Sequence, residues 1–136
     1  VLMSVNRMDK EEAVEVARIL TESGLKIVAT GNTFKRIHEA GIPVERIDKI
    51  QEGRPNVLDA ITNKQVQMVI NTPAGPEKQF DDSYIRKAAI KAKIPSVTTM
   101  AAAKASASGI SKLKRFGRLE VKSIQELHSE IKPKMN

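Results

Sequence analysis

The chain has 136 residues, a formal net charge of +7, 40% hydrophobic and only 3% aromatic residues, and no cysteine. The absence of cysteine excludes disulfides and thiolate metal sites, and no apolar run approaches the length needed to cross a bilayer. With no signal peptide either, these features predict a cytoplasmic domain with no membrane partner and a core of Val, Ile, Leu and Ala. Because the chain starts at Val1 inside an apolar pattern, we expect it either to be cut from a longer polypeptide or to have a processed start.

The basic charge is concentrated near the end of the chain. Residues 111–136 contain seven Lys and Arg against three Glu. A basic surface can indicate nucleic-acid binding, but one Tyr, three Phe and no Trp leave few rings on which bases could stack. We therefore predict no nucleic-acid partner, and we expect a domain over residues 1–110 followed by a solvated basic tail over 111–136.

Strand-like and helix-like patterns alternate along the chain. The expected strands are residues 1–5, 26–29, 44–50, 66–70 and 94–98, and the expected helices begin at residues 9, 33, 57, 82 or 83, and 101, the last one ending at 110. The first helix is expected to have Asp9 as its N-cap and Glu12 as the capping-box partner. This alternation predicts an α/β fold: a three-layer, Rossmann-like parallel sheet of about five strands with helices on both faces.

A strand-to-helix turn at residues 30–33 (TGNT) is the strongest local signal. Such a turn gathers free backbone N–H groups at the positive end of a helix dipole. Gly31 can adopt the backbone angles that the turn needs, and the hydroxyls of Thr30 and Thr33 can donate to a bound anion. The alternative is that Thr33 is only an N-cap and Gly31 only a turn residue.

Further polar residues fall at the predicted ends of other strands, where ligands bind in folds of this kind. The candidate phosphate-binding residues are Ser4, Lys10, Thr30, Gly31, Asn32, Thr33, Lys49, Arg54, Asn71 and Thr72. Each also has a purely structural interpretation: Lys10 as an exposed first-turn residue, Lys49 as a solvated side chain, Asn71 as a turn former. Their joint placement favours an anion pocket.

Signals for catalysis or metal binding are weak. His38 and His128 are far apart and have no carboxylate at metal-ligand spacing, so no metal site is expected. No nucleophile elbow or Walker loop is present in the sequence. Asp81 and Asp82 are better interpreted as acids at a helix N-terminus than as a general base, so we predict no catalytic residue.

Several segments, in order, resemble the methylglyoxal-synthase-like domain at the carboxyl end of the carbamoyl phosphate synthase large chain. They include residues 2–5 (LMSV), 29–33 (ATGNT), 39–43 (EAGIP), 49–56 (KIQEGRPN), 69–73 (VINTP) and 84–89 (YIRKAA), and residues 122–128 (KSIQELH) are similar to the tail of such chains. The resemblance covers nearly the whole sequence.

The resemblance implies a non-catalytic regulatory domain without a cofactor of its own. Its effector would be a nucleotide such as UMP, in some members IMP, and in others N-acetylglutamate. The family's effector-phosphate positions match Ser4, Lys10, Thr30, Thr33, Lys49, Asn71 and Thr72. The implied parent is an ATP-dependent, Mg- or Mn-using ligase that makes carbamoyl phosphate for arginine and pyrimidine biosynthesis; its synthetase domains and glutaminase small chain are the implied partners.

Two departures from the family pattern affect the effector. Pro73 and Pro76 stand where nucleotide-responsive members often have Thr and Arg, which removes a hydroxyl and a guanidinium, although Lys78 could substitute. Ornithine-type activators touch the family near the position of Thr98. Ser96 and Val97 lack the aromatic and acidic groups that would hold ornithine, so an ornithine response is not predicted.

Two enzyme readings remain as alternatives. A methylglyoxal synthase-type lyase needs a carboxylate base beside the phosphate site, and residues 73–77 (PAGPE) lack the Asp of the Gly-Gly-Asp segment that such enzymes have there. A cyclohydrolase-type purine enzyme domain shares the Ser-Val and Thr-Gly-x-Thr features, but it is not supported by residues 52–56 or by the tail.

Overall fold

The computed structural model describes residues 1–73 and 79–115, with side chains over 1–73 and 82–114. Within this part, five parallel strands form one sheet in the order β3-β2-β1-β4-β5. The strands are β1 (Leu2–Ser4), β2 (Val28–Thr30), β3 (Glu45–Ile47), β4 (Val69–Asn71) and β5 (Ser96–Val97). The predicted parallel α/β sheet is confirmed.

Helices cover both faces of this sheet, as the sequence predicts. They are α1 (Lys10–Glu22), α2 (Gly31–Glu39), α3 (Val57–Thr62), α4 (Gln79–Lys91) and α5 (Met100–Arg115). Side chains of α1, α2 and α5 pack with Met3 in one buried cluster, and side chains of α3 and α4 pack with Leu2 in the other. Since successive residues of a strand point to opposite faces, Leu2 and Met3 show directly that the sheet lies between two apolar layers.

The first helix begins where predicted, with Asp9 at the N-cap position, but without the predicted side-chain cap bonds. Asn6 caps a short 3-10 helix, Arg7–Asp9, by accepting from Asp9 N over 2.9 Å, and Asp9 makes no side-chain cap bond of its own. Glu12 instead pairs with Lys104 over 3.0 Å. The predicted capping box is therefore wrong, because neither Asp9 nor Glu12 makes the side-chain bond to the start of α1 that it requires.

Other helix ends differ from prediction. α2 begins at Gly31 rather than Thr33, and α4 at Gln79 rather than at Asp82 or Ser83. α5 continues beyond Ile110 to Arg115, because nothing in that stretch stops a helix. The start of the predicted tail is thus helical, and residues 116–136 lie outside the described part.

Candidate functional site

A cavity of about 1030 Å³ opens where β1 and β2 end. Six of the ten candidate residues line it: Ser4, Lys10, Thr30, Asn32, Thr33 and Lys49. These residues converge because β1 and β2 are parallel neighbours, so that the carboxyl ends of both strands lie at the same edge of the sheet.

The ends of these two strands are joined directly. The hydroxyl of Thr30 donates to Oγ of Ser4 over 2.9 Å, although the two residues belong to different strands. Thr30 is only 2% exposed and has extended backbone angles at the start of α2. The pair of a buried threonine and a half-buried serine therefore forms a polar floor at the start of α2.

Two buried threonines hold the loop that follows β1. Thr33 Oγ1 accepts from Val5 N over 3.1 Å, and Thr72 Oγ1 accepts from Asn6 N over 2.9 Å. Asn6 in turn donates its amide to the carbonyl of Pro73 over 2.9 Å. Thr33 thus lines the cavity without being an N-cap, while Thr72 lies behind the lining and shapes the loop.

Lys10 is not the exposed first-turn residue of the structural alternative. It is half-buried, and its ammonium donates to the carbonyl of Val5 over 2.8 Å. Thr33 donates weakly to the same carbonyl, at 3.4 Å. These contacts place the positive charge of the Lys10 ammonium beside the loop that follows β1, next to the turn that begins α2.

Lys49 crosses the first residue of α2. A Cβ at Gly31 would lie 3.0 Å from Lys49 Cε and 3.2 Å from Nζ, and Gly31 has a φ of +34°. A lysine at a helix N-terminus is unfavourable on its own, because the dipole is positive there. No carboxylate among the described residues pairs with this ammonium, so an anion would relieve the concentration of positive charge.

The charges around the cavity favour an anion. The cationic side chains in the lining are those of Arg7, Lys10, Lys35, Arg36 and Lys49, against the acids Glu39 and Asp82. Arg36 is held by Glu11 through two bonds of 2.7 Å, and this hydrogen bonding holds the pKa of Glu11 below its ordinary value. The lining carries more positive than negative charge even with Arg36 paired.

Asp82 lines the cavity, and Asn71, at the end of β4, lies behind it. With its amide oriented so that both of its ends are hydrogen-bonded, Asn71 donates to Ser4 O over 3.0 Å and to Asp82 Oδ1 over 3.3 Å. Asp82 lies near the start of α4, as predicted, but it also faces the cavity. Sequence reasoning missed this because the approach of α4 to β4 depends on packing. Asp81, Pro76 and Lys78 lie outside the described side chains.

Arg54 is not brought to the cavity lining in the described structure. Its guanidinium is 80% exposed and pairs with Asp59 over 2.6 Å. Asp59 also accepts from Asn56 N over 2.9 Å, and these bonds lower the pKa of its carboxyl. Arg54 therefore belongs to the N-terminus of α3, and its predicted place on the rim is not supported by its position.

Seven polar residues of the lining are not among the ten candidates: Asn6, Arg7, Lys35, Arg36, Glu39, Gln51 and Asp82. Arg7 and Gln51 lie in short 3-10 helices that the sequence does not signal, and Lys35 follows the TGNT turn on α2. A helical projection from Gly31 could have found Lys35.

The described residues give no sign of a metal site or a membrane span. His38 stacks on Phe34 with ring centroids 5.3 Å apart, and no group of three acidic or histidine side chains there could hold a metal ion. None of the described helices combines the length and apolarity that a membrane crossing requires. His128 lies outside the described residues.

Comparisons with known proteins agree with this fold. A family model described as the MGS-like domain matches residues 12–98. The carbamoyl phosphate synthase large chain of Acidobacterium capsulatum is 43% identical over 129 residues, covering 95% of this chain and 12% of that protein. The large chain of the same name from Rhizobium meliloti is 46% identical over 125 residues, covering 92% of this chain and 11% of that protein.

The solved structure of methylglyoxal synthase from Elizabethkingia anophelis has a similar fold. Its TM-score is 0.59 at 20% identity, with 79% of this chain and 76% of that chain covered. At this identity the likeness concerns the fold alone. The chain spans only about 12% of the length of the Acidobacterium large chain.

Proposed function

The chain belongs to the MGS-like domain family, and we propose that it is the effector-binding regulatory domain of a carbamoyl phosphate synthase large chain. The resemblance predicted from its own segments is confirmed by the family match and by large-chain relatives at 43% and 42% identity. The proposed ligand is a phosphate-bearing nucleotide of the UMP or IMP type, which would bind in the cavity at the ends of β1 and β2.

The position of Lys49 over Gly31 carries this proposal. It puts an ammonium on the N-terminus of α2, and the ammonium of Lys10, at the start of α1, lies beside the loop that follows β1, so that two lysines and a helix dipole act on one small region. The buried Thr30 and the half-buried Ser4 supply hydroxyl groups that can rotate to donate to an anion. A tetrahedral phosphate matches such a site in charge and in its need for several donors.

The cavity is larger than a phosphate requires. At about 1030 Å³ it reaches the upper end of the volume range usual for small-molecule sites. A nucleoside attached to the phosphate would occupy the remaining space near Ile50 and Ile85, which supply apolar lining. This supports a nucleotide over inorganic phosphate as the effector.

The proposed parent, a carbamoyl phosphate synthase large chain, determines which partner domains and chains we expect. We propose that the effector signal passes to the ATP-using synthetase domains of the same large chain, which acts with a glutaminase small chain and uses Mg or Mn. ATP and metal would bind in those other domains, so this domain would hold no cofactor. Allostery requires such a second site, since effector and substrate must bias the same equilibrium.

Calorimetric titration of the 136-residue chain with UMP, IMP and N-acetylglutamate tests the proposal. We expect one saturable site for UMP or IMP, and a ligand at about a hundred times its Kd should add roughly 2.7 kcal/mol of stability, seen as a raised Tm. Binding of N-acetylglutamate alone would reassign the effector. If none of the three binds at millimolar concentration, the effector-binding proposal is wrong.

A lyase of the methylglyoxal synthase type is the second candidate, favoured by one observation. Asp82 lines the cavity and accepts from Asn71, so a carboxylate lies near the proposed phosphate site although residues 73–77 have no Asp. We propose that Asp82 positions the β4 end and is not a base. The chain should then fail to convert dihydroxyacetone phosphate to methylglyoxal, whereas turnover abolished by Asp82→Asn would favour the enzyme.

A further inference from the structure

Arg36 lies between two concave surfaces of the molecule. It lines the large cavity, and it also lines a second, shallower cleft between α1, α2 and α5, together with Glu11, Glu12 and Lys104. Its side chain is 34% exposed, so part of it is accessible to solvent. No other cationic residue lines both surfaces in the described part of the chain.

In the structure the guanidinium of Arg36 is bound on the side of the second cleft, by Glu11, which lines that cleft and not the large cavity. Arg36 Nε and Nη2 each donate to a different oxygen of Glu11, both over 2.7 Å, which is the two-pronged geometry that arginine forms with carboxylates. The next carboxylate on α1 does not compete for it, because Glu12 pairs with Lys104 over 3.0 Å. Glu11 therefore occupies the Nε–Nη2 edge of Arg36, one of the two edges through which a guanidinium can bind an anion by two parallel hydrogen bonds.

Arg36 is also displaced along α2 from the proposed phosphate site. It follows Gly31 by five residues, a rise of about 7.5 Å along the helix. A single phosphate at Gly31 is thus too far to require the guanidinium, whereas a chain of phosphates could extend toward it. A monophosphate and a polyphosphate should therefore affect the Arg36–Glu11 ion pair differently.

We propose that Glu11 competes with bound ligand for Arg36, so that the cavity favours one phosphate over a polyphosphate. This rests on the proposed function, since it concerns which anions the same site accepts. A monophosphate binds with the Arg36–Glu11 pair intact. A longer polyanion gains the Nε–Nη2 edge of Arg36 only by drawing that edge off Glu11, which leaves the Glu11 carboxylate unpaired.

The test is calorimetric binding of inorganic phosphate, pyrophosphate and tripolyphosphate to the full chain and to Glu11→Gln. The variant should bind tripolyphosphate about two- to fivefold more tightly, the range expected for loss of one exposed competing ion pair, with phosphate changed much less. Glu12→Gln is the matched control, because it removes the same charge one residue away but releases Lys104, which does not line the cavity. The double variant Glu11→Gln/Arg36→Gln should lose the gain.

Other outcomes overturn the inference. Equal effects of Glu11→Gln and Glu12→Gln would mean general surface charge, and a gain that survives Arg36→Gln would mean that Arg36 is not involved. If the Arg36–Glu11 pair only stabilises the packing of α1 against α2, the variants will lower Tm without changing the ratio of tripolyphosphate affinity to phosphate affinity. Phosphate binding that depends on Lys49, with an unchanged ratio of tripolyphosphate to phosphate affinity in Glu11→Gln, rejects the competition alone. No binding of any of the three probes to the unaltered chain also rejects the competition, and the titration with UMP and IMP then decides the proposed function separately.

Discussion

Gly31 and Lys49 are in contact across the start of α2, and a side chain at Gly31 would displace the lysine. A Cβ there would lie 3.0 Å from Lys49 Cε, and the φ of +34° already disfavours any residue other than glycine. The same glycine therefore lets the helix begin directly after β2 and lets an ammonium lie over its first N–H groups.

Gly31→Ala should destabilise the chain and weaken anion binding together. We expect a loss of about 1–2 kcal/mol of unfolding free energy from the strained backbone, measured by urea denaturation. Gly109→Ala is the matched control: nothing lies within 4 Å of its Cβ position and it is inside α5, so the same substitution should stabilise by up to about 1 kcal/mol. A neutral Gly31→Ala with unchanged phosphate affinity would contradict this account.

Lys49→Met should weaken binding of phosphate or UMP about tenfold or more, since a charge-assisted contact contributes about 1.5–3 kcal/mol. Lys87→Met is the control, because Lys87 is exposed on α4 and outside the cavity lining, and screening by salt should make its effect small. Titration calorimetry at two salt concentrations measures both. Comparable losses in the two variants would indicate nonspecific attraction to a basic surface.

The overall architecture could be predicted because it depends on a repeated pattern. Alternating apolar strands and amphipathic helices specify a parallel sheet, and Thr30 and Lys49 then fall at strand ends whatever their contacts. The starts of helices were less predictable. Asp9 lies at the predicted N-cap of α1 but its side chain makes no cap bond, and Thr33 lies inside α2 with its hydroxyl bonded to Val5. A residue type suited to a cap therefore did not predict a side-chain cap bond.

The site residues that sequence reasoning misplaced depend on contacts between distant elements. Arg54 lies five residues from Lys49, yet Asp59 at the start of α3 holds it away from the cavity. Asp82 approaches Asn71 only because α4 packs beside the end of β4. Neither fact follows from residue spacing, since a one-dimensional pattern does not say which side of a loop faces a neighbouring strand.

Thr33→Val should lower the unfolding free energy by about 1–3 kcal/mol, because it leaves the buried N–H of Val5 without its acceptor while keeping the side-chain shape. Thr33→Ser should restore most of this. Thr21→Val, which removes an exposed bond from Thr21 Oγ1 to Arg18 O, should stay within about 0.5 kcal/mol. Denaturant unfolding compares the three, and equal losses in the two Val variants would mean that the Thr33–Val5 bond has no special role.

Asp59 should make the stability depend on pH in the acid range. Hydrogen bonds from Arg54 and from Asn56 N lower its pKa in the folded chain, so the stabilisation is complete above the unfolded value and is lost as the pH falls through the folded one. Asp59→Asn should therefore be less stable than the unaltered chain at pH 7, and the two Tm curves should converge as the pH falls below about 4. Arg54→Gln, which keeps the Asn56 bond, should lie between them at pH 7. Parallel curves from pH 7 to pH 3 would show that this carboxylate contributes nothing to the acid sensitivity of the fold.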